Sequence, residues 1–193
     1  MQGEVIMIKI IIPGEPIPKA RPRFVHKDKN GNALPFIHTF NQQENEEAAF
    51  KWAAMKYMTE NNGGVMSIIE DGPIAMGLTF IMPVRKNWPQ YKIRDLQRGM
   101  TFYHFIKPDL DNCIKFVKDC LQGLCYKNDS QVTVMYPPPL KIYGFEPKTI
   151  IRIRTLPEFE MVKREGYDVP VKPHEASQDR VNFDDFINYI GGT

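Results

Sequence analysis

Four aspartates and four lysines fall within one short stretch, KPDLDNCIKFVKDCLQGLCYKNDSQV, residues 107–132, and three of the acids and one lysine have spacing that could do chemistry. Asp109 and Asp111 are one residue apart, Lys115 lies four beyond Asp111, and Asp129 stands in a turn before the next apolar run. With Asp111 opening a helix, Leu110, Cys113, Val117, Leu121 and Leu124 fall on one side. Asp111, Lys115, Lys118 and Gln122 share the other, with Asp119 toward its edge, so the helix has a core face and a charged face. Pro108 and Asp109 supply its start, Asp109 as the N-cap or just outside it. A chain returning past that start would bring Asp129 near both other acids. Carboxylates gathered at one point repel unless a cation neutralises them, and hard oxygen ligands select Mg2+ or Mn2+. Such an ion polarises a phosphodiester oxygen, lowers the pKa of attacking water and stabilises the leaving oxygen. Lys115, one turn from Asp111, would balance the charge or contact phosphate.

Plainer readings stand beside this one. A DxDN start also serves as a capping arrangement, and His104 reads equally as a packing residue or as an accessory to the chemistry. Two basic segments are candidates for a polyanion. One is Lys19, Arg21 and Arg23, in PGEPIPKARPRF, which also reads as a solvated loop. The other is residues 84–107, where Arg85, Lys86, Lys92, Arg94, Arg98 and Lys107 face a single acid. Trp88, Tyr91, Phe102, Tyr103 and Phe105 are interleaved there, which suits phosphate contacts paired with base stacking, or a long loop with some aromatics tucked into the core.

The elements that must position these residues read as a compact α/β or α+β fold, a small mixed sheet with two main helices. Val5 to Ile12 is a buried strand ended by Pro13 and Gly14. Residues 26–43 form a loop or hairpin around Lys29-Asn30-Gly31-Asn32. Phe50, Ala53, Ala54, Tyr57 and Met58 recur at helical spacing over Glu44 to Met58. Strands follow at Ile74 to Met82, Gln131 to Tyr136 and Thr149 to Thr155, the second of them stopped by Pro137-Pro138-Pro139.

Composition bounds the rest. The 193 residues are 42% hydrophobic, which argues for a folded domain rather than a disordered chain. Residues 1–156 carry 21 Lys and Arg against 15 acids, whereas residues 157–193 carry 4 against 8. A basic-leaning domain over 1–156 with an acidic extension over 157–193 is expected, the latter with an apolar group at Phe183, Phe186, Ile187 and Ile190. Cys113, Cys120 and Cys125 lack zinc-site spacing and read as reduced thiols of a cytoplasmic protein. The opening residues lack a basic leader, and no apolar run is long enough to span a membrane.

In combination these motifs resemble the RusA family of Holliday-junction resolvases, in its phage and Gram-positive-type branch. The family pattern is an early strand, a K-x-R-P-R segment, a helix, a strand, a D-x-D-N-x-x-K helix and an Asp just before Q-V. Lys19, Arg21, Pro22 and Arg23 match the first motif; Asp109, Asp111, Asn112 and Lys115 match the second; Asp129, Gln131 and Val132 match the third. The resemblance covers roughly residues 5–155 and implies a Mg2+-dependent crossover junction endodeoxyribonuclease, with Mn2+ as substitute, acting as a homodimer on branched DNA. It assigns Asp109, Asp111 and Asp129 as metal-binding catalytic acids and Lys115 as the essential basic residue. Residues 84–107 exceed the corresponding stretch of the shortest members, which leaves a flap or fork nuclease, or a non-cleaving junction-binding protein, as alternatives.

Overall fold

β-Branched and proline-punctuated stretches become the strands of one mixed sheet, and two apolar helix stripes cover one of its faces. The computed structural model describes residues 6–20, 23–27, 33–40, 43–61 and 68–157, with backbone only over 23–27 and 33–40. Strand β1 (Met7–Pro13) pairs antiparallel with β7 (Lys148–Thr155), which pairs antiparallel with β4 (Ile74–Pro83). On the far side of β4 two short strands lie end to end in parallel pairing: β5 (Val132–Met135) against Ile74 to Met76, and β6 (Leu140–Gly144) against Thr79 to Pro83. The three prolines between them cannot join a ladder, so what would be one strand becomes two.

Gly77 faces this interruption. A Cβ there would lie 2.7 Å from Pro137 Cδ and 2.9 Å from the Tyr136 carbonyl oxygen, so the close approach requires glycine. The hairpin expected near residues 26–43 is present as β2 (Arg23–Lys27) and β3 (Ala33–Phe40), paired antiparallel; its Lys29-Asn30-Gly31-Asn32 turn lies outside the described residues. So does the apolar group at Phe183 to Ile190.

Helix α1 (Glu44–Asn61) buries Phe50, Ala54 and Met58 at four-residue spacing. Helix α3 (Leu110–Leu121) buries Cys113, Phe116, Val117, Cys120 and Leu121. These meet Ile10, Ile12, Ile74, Met76, Leu78, Phe80, Ile151 and Ile153, the core-facing set of alternate strand positions. Phe50 and Phe116 meet edge-to-face at 5.4 Å, fixing one helix against the other. The three cysteines are free and buried, and burial pushes Cys113 up to about 11 and Cys120 and Cys125 up to about 12, so they act as packing residues.

Two features exceed the sequence expectation of two helices and three or four strands. Residues 84–107 contain a helix, α2 (Gln90–Gln97), and residues 140–144 are the strand β6. No helix among the described residues is long and apolar enough to cross a membrane.

Candidate active site

The start of α3 is set by backbone rather than by a side-chain cap. Asp109 has extended backbone (φ −72°, ψ 143°) and its carbonyl accepts from Cys113 N–H at 3.3 Å, which makes it the N-cap residue; its carboxylate makes no capping hydrogen bond. Asp111 lies exposed in the first turn. Among the described residues neither acid forms an ion pair, so both carboxylates are uncommitted. The helix N-terminus offsets part of the cost of concentrating negative charge there.

Lys141 of β6 holds the entry to this helix. Its ammonium donates to the Ile106 carbonyl at 2.7 Å and to the Pro108 carbonyl, on either side of the cis Lys107–Pro108 peptide. An open cleft of about 500 Å3 adjoins it, lined by Tyr103, Phe105, Ile106, Lys107, Asp109 and Lys141 among others. The sequence gives no sign of this role for Lys141, because its acceptors lie 35 and 33 positions away in the chain.

Asp129 opens a single 3-10 turn, Asp129–Gln131, and its carboxylate lies 3.6 Å from the ammonium of Lys118. Lys118 follows Asp111 by seven residues, about two turns or roughly 10 Å along the helix axis. No three His, Cys, Asp or Glu side chains converge as a metal-ligand set among the described residues. Gln131 fixes the turn: its Oε1 accepts from Asn128 N–H at 2.8 Å, and its Nε2 donates to the Ile69 and Gly72 carbonyls at 3.2 Å each. The glutamine of the third motif thus ties the aspartate's turn to the chain entering β4.

Lys115 is exposed and has no acid partner among the described residues. Lys19 differs. Its ammonium lies 2.9 Å from Glu47 of α1 and 2.8 Å from Asp119 of α3, and its backbone N–H donates to the Asn112 carbonyl at 2.9 Å. Burial opposes its charge, but hydrogen bonds to Asp119 and Glu47 outweigh this and hold its pKa above the ordinary lysine value. Gln43, buried, accepts from Ala20 N–H at 2.5 Å and donates to the Pro18 carbonyl at 2.9 Å. The side chains of Arg21 and Arg23 lie outside the described residues.

The long basic stretch divides between the two readings open to it. Trp88 packs edge-on against Phe102 at 5.3 Å and Tyr143 at 4.6 Å, and Lys92 covers its ring, so these aromatics are structural. Tyr91, Tyr103 and Phe105 are exposed, Phe105 to 88%. Arg85, Lys86, Arg94, Arg98 and Lys107 are exposed and, among the described residues, form no ion pair. The end of the stretch is clipped to β6: Tyr143 N–H donates to the Phe102 carbonyl and His104 N–H to the Lys141 carbonyl, both at 2.9 Å. His104 is buried with its ring 4.7 Å from that of Tyr143 and its Nδ1 unpartnered. Burial and then the charge of Lys141 depress its pKa, so its neutral form is favoured.

The profile of the family described as Endodeoxyribonuclease RusA matches residues 13–154, nearly the whole described chain. A protein of Bacillus subtilis (strain 168), called "Uncharacterized protein YqaN", is 30% identical over 154 residues, which covers 76% of this chain and 95% of that protein.

Proposed function

This chain belongs to the RusA family of endodeoxyribonucleases, and from that premise we propose that it resolves four-way DNA junctions by Mg2+-dependent, paired phosphodiester hydrolysis. The observation that carries the reading is the pair of uncommitted carboxylates, Asp109 and Asp111, at the start of a helix packed into the core. Mg2+ keeps several waters and is commonly held by one or two carboxylates together with substrate phosphate, which this pair fits. Bound there, the ion would lower the pKa of attacking water and polarise the scissile phosphate. Lys115, free of acid partners and one turn on, supplies a donor to a phosphate oxygen. Asp129 is the third acid by its motif. Its carboxylate, half exposed beside the Lys118 ammonium, would complete the ligand set.

Branched DNA would lie across the charged side of α3, with Arg21, Arg23 and the exposed cations of residues 84–107 on its backbone. Cleavage of duplex, fork, flap and mobile four-way substrates tests this directly. Paired cleavage of the four-way substrate in Mg2+ or Mn2+, abolished by chelation, is expected. Asp111→Asn should lose turnover by at least on the order of 100-fold while retaining junction binding. Preference for flaps or forks would replace the junction assignment, and binding without cleavage would leave an architectural protein. Full activity of Asp111→Asn would remove the metal-site assignment.

A further inference from the structure

We propose that Lys19 is a positioning residue rather than a DNA contact: its ammonium, held between Glu47 and Asp119, locks the segment leading to Arg21 and Arg23 onto the helix that bears the acids. The inference rests on the nuclease reading for its catalytic consequence and on geometry for the lock itself. Lys19 lies 2.9 Å from Glu47 and 2.8 Å from Asp119, and the three side chains are 22%, 18% and 32% exposed. An ammonium already held by two carboxylates has its charge engaged within the protein, which leaves it less to offer a phosphate. The same arrangement engages Asp119 with an ammonium.

Three backbone-directed hydrogen bonds hold the segment in the same place. Lys19 N–H donates to the Asn112 carbonyl at 2.9 Å, Ala20 N–H to Gln43 Oε1 at 2.5 Å, and Gln43 Nε2 to the Pro18 carbonyl at 2.9 Å. Asn112 adjoins Asp111. Anchoring Lys19 at Asn112 therefore fixes the end of the segment, residues 18–20, beside the first turn of the acid-bearing helix. A second effect follows from helix spacing. Asp111, Lys115 and Asp119 recur every four residues on one side of α3, and Asp119 would pair with Lys115 if Lys19 did not hold it. The lock therefore keeps Lys115 available as well as setting the register.

The test uses Lys19→Met, Asp119→Asn, the double variant, Lys19→Arg and, for comparison, Arg21→Ala, all in the full-length protein. Single-turnover cleavage at saturating junction should fall between about tenfold and a hundredfold in each of the first two. The double variant should be no slower than the slower single one, because both remove the same pair. Lys19→Arg should restore most of the rate. The salt slope of junction binding should stay at the wild-type value in Lys19→Met and drop by about 1 in Arg21→Ala.

A slope lowered by about 1 in Lys19→Met would make Lys19 a phosphate contact and overturn the proposal. So would additive rate losses, or an unchanged rate in the folded single variants. A raised Mg2+ requirement in Asp119→Asn alone would make Asp119 a metal ligand instead. Thermal unfolding separates failure of the lock from failure of the nuclease reading. Each single variant should lower Tm by about 3–8 °C and the double variant by less than their sum. Additive Tm losses overturn the lock even if the wild-type protein cleaves nothing, an outcome that would by itself sink only the nuclease reading.

Discussion

His104 shows what a single residue type conceals until its surroundings are known. In the sequence it stood between a packing residue and an accessory to the chemistry, and the structure buries it on Tyr143 with its pKa depressed by burial and by Lys141. Between its lowered folded pKa and about 6.5 the unfolded chain holds more protons on this histidine than the folded one. The neutral ring's contribution to stability is therefore present above about pH 6.5 and lost as pH falls toward the folded pKa. His104→Phe should flatten that part of the stability profile measured by urea unfolding across pH 5–8, and a profile of unchanged slope would return the loss to other groups. The placement of Asp111 and Lys115 on one side of α3 was legible from helix periodicity, and that of Asp109 from the start signal before the helix. The partners of Lys19 and Asp129 were not legible, since they lie 28 and 100 positions or 11 positions away on other elements or turns, at separations that no local period encodes.

Element by element, the strands at Ile74 and Lys148 and the helices at Glu44 and Leu110 follow from apolar periodicity, and their observed bounds differ from the reading by only a few residues. Strand β6 and helix α2 were missed for separate reasons. β6 is a five-residue piece isolated by the prolines before it, and α2 lies within a stretch whose charges suggested a loop. Gly77 was also silent in the sequence, because only the fold brings it against Tyr136 and Pro137. Gly77→Ala should cost about 1–3 kcal/mol by urea unfolding, since the added Cβ must displace backbone and a proline ring rather than the end of a flexible side chain. A stability equal to wild type would show that the β5–β6 junction yields easily.

For the whole molecule, the proposed activity is a matter of symmetry. A four-way junction presents two equivalent strands, and a two-fold homodimer with one Asp109/Asp111/Asp129 set per subunit can address both. Mass measurement at assay concentration should then give twice the chain mass of 22.4 kDa, and a cruciform plasmid should yield mainly linear product. A heterodimer with one Asp111→Asn subunit should accumulate nicked circles; an active monomer would discard the dimer while leaving the acids in place. The clip of residues 102–108 onto β6 bears on a longer timescale. Because Lys141 and the β6 backbone hold the chain just before Asp109, the position of the acids is set by the sheet rather than by the length of the stretch that precedes them. A change of length in the exposed helix α2 between Trp88 and Phe102 should therefore leave the backbone at Asp109 where it is, so that this segment can vary while the start of α3 stays fixed.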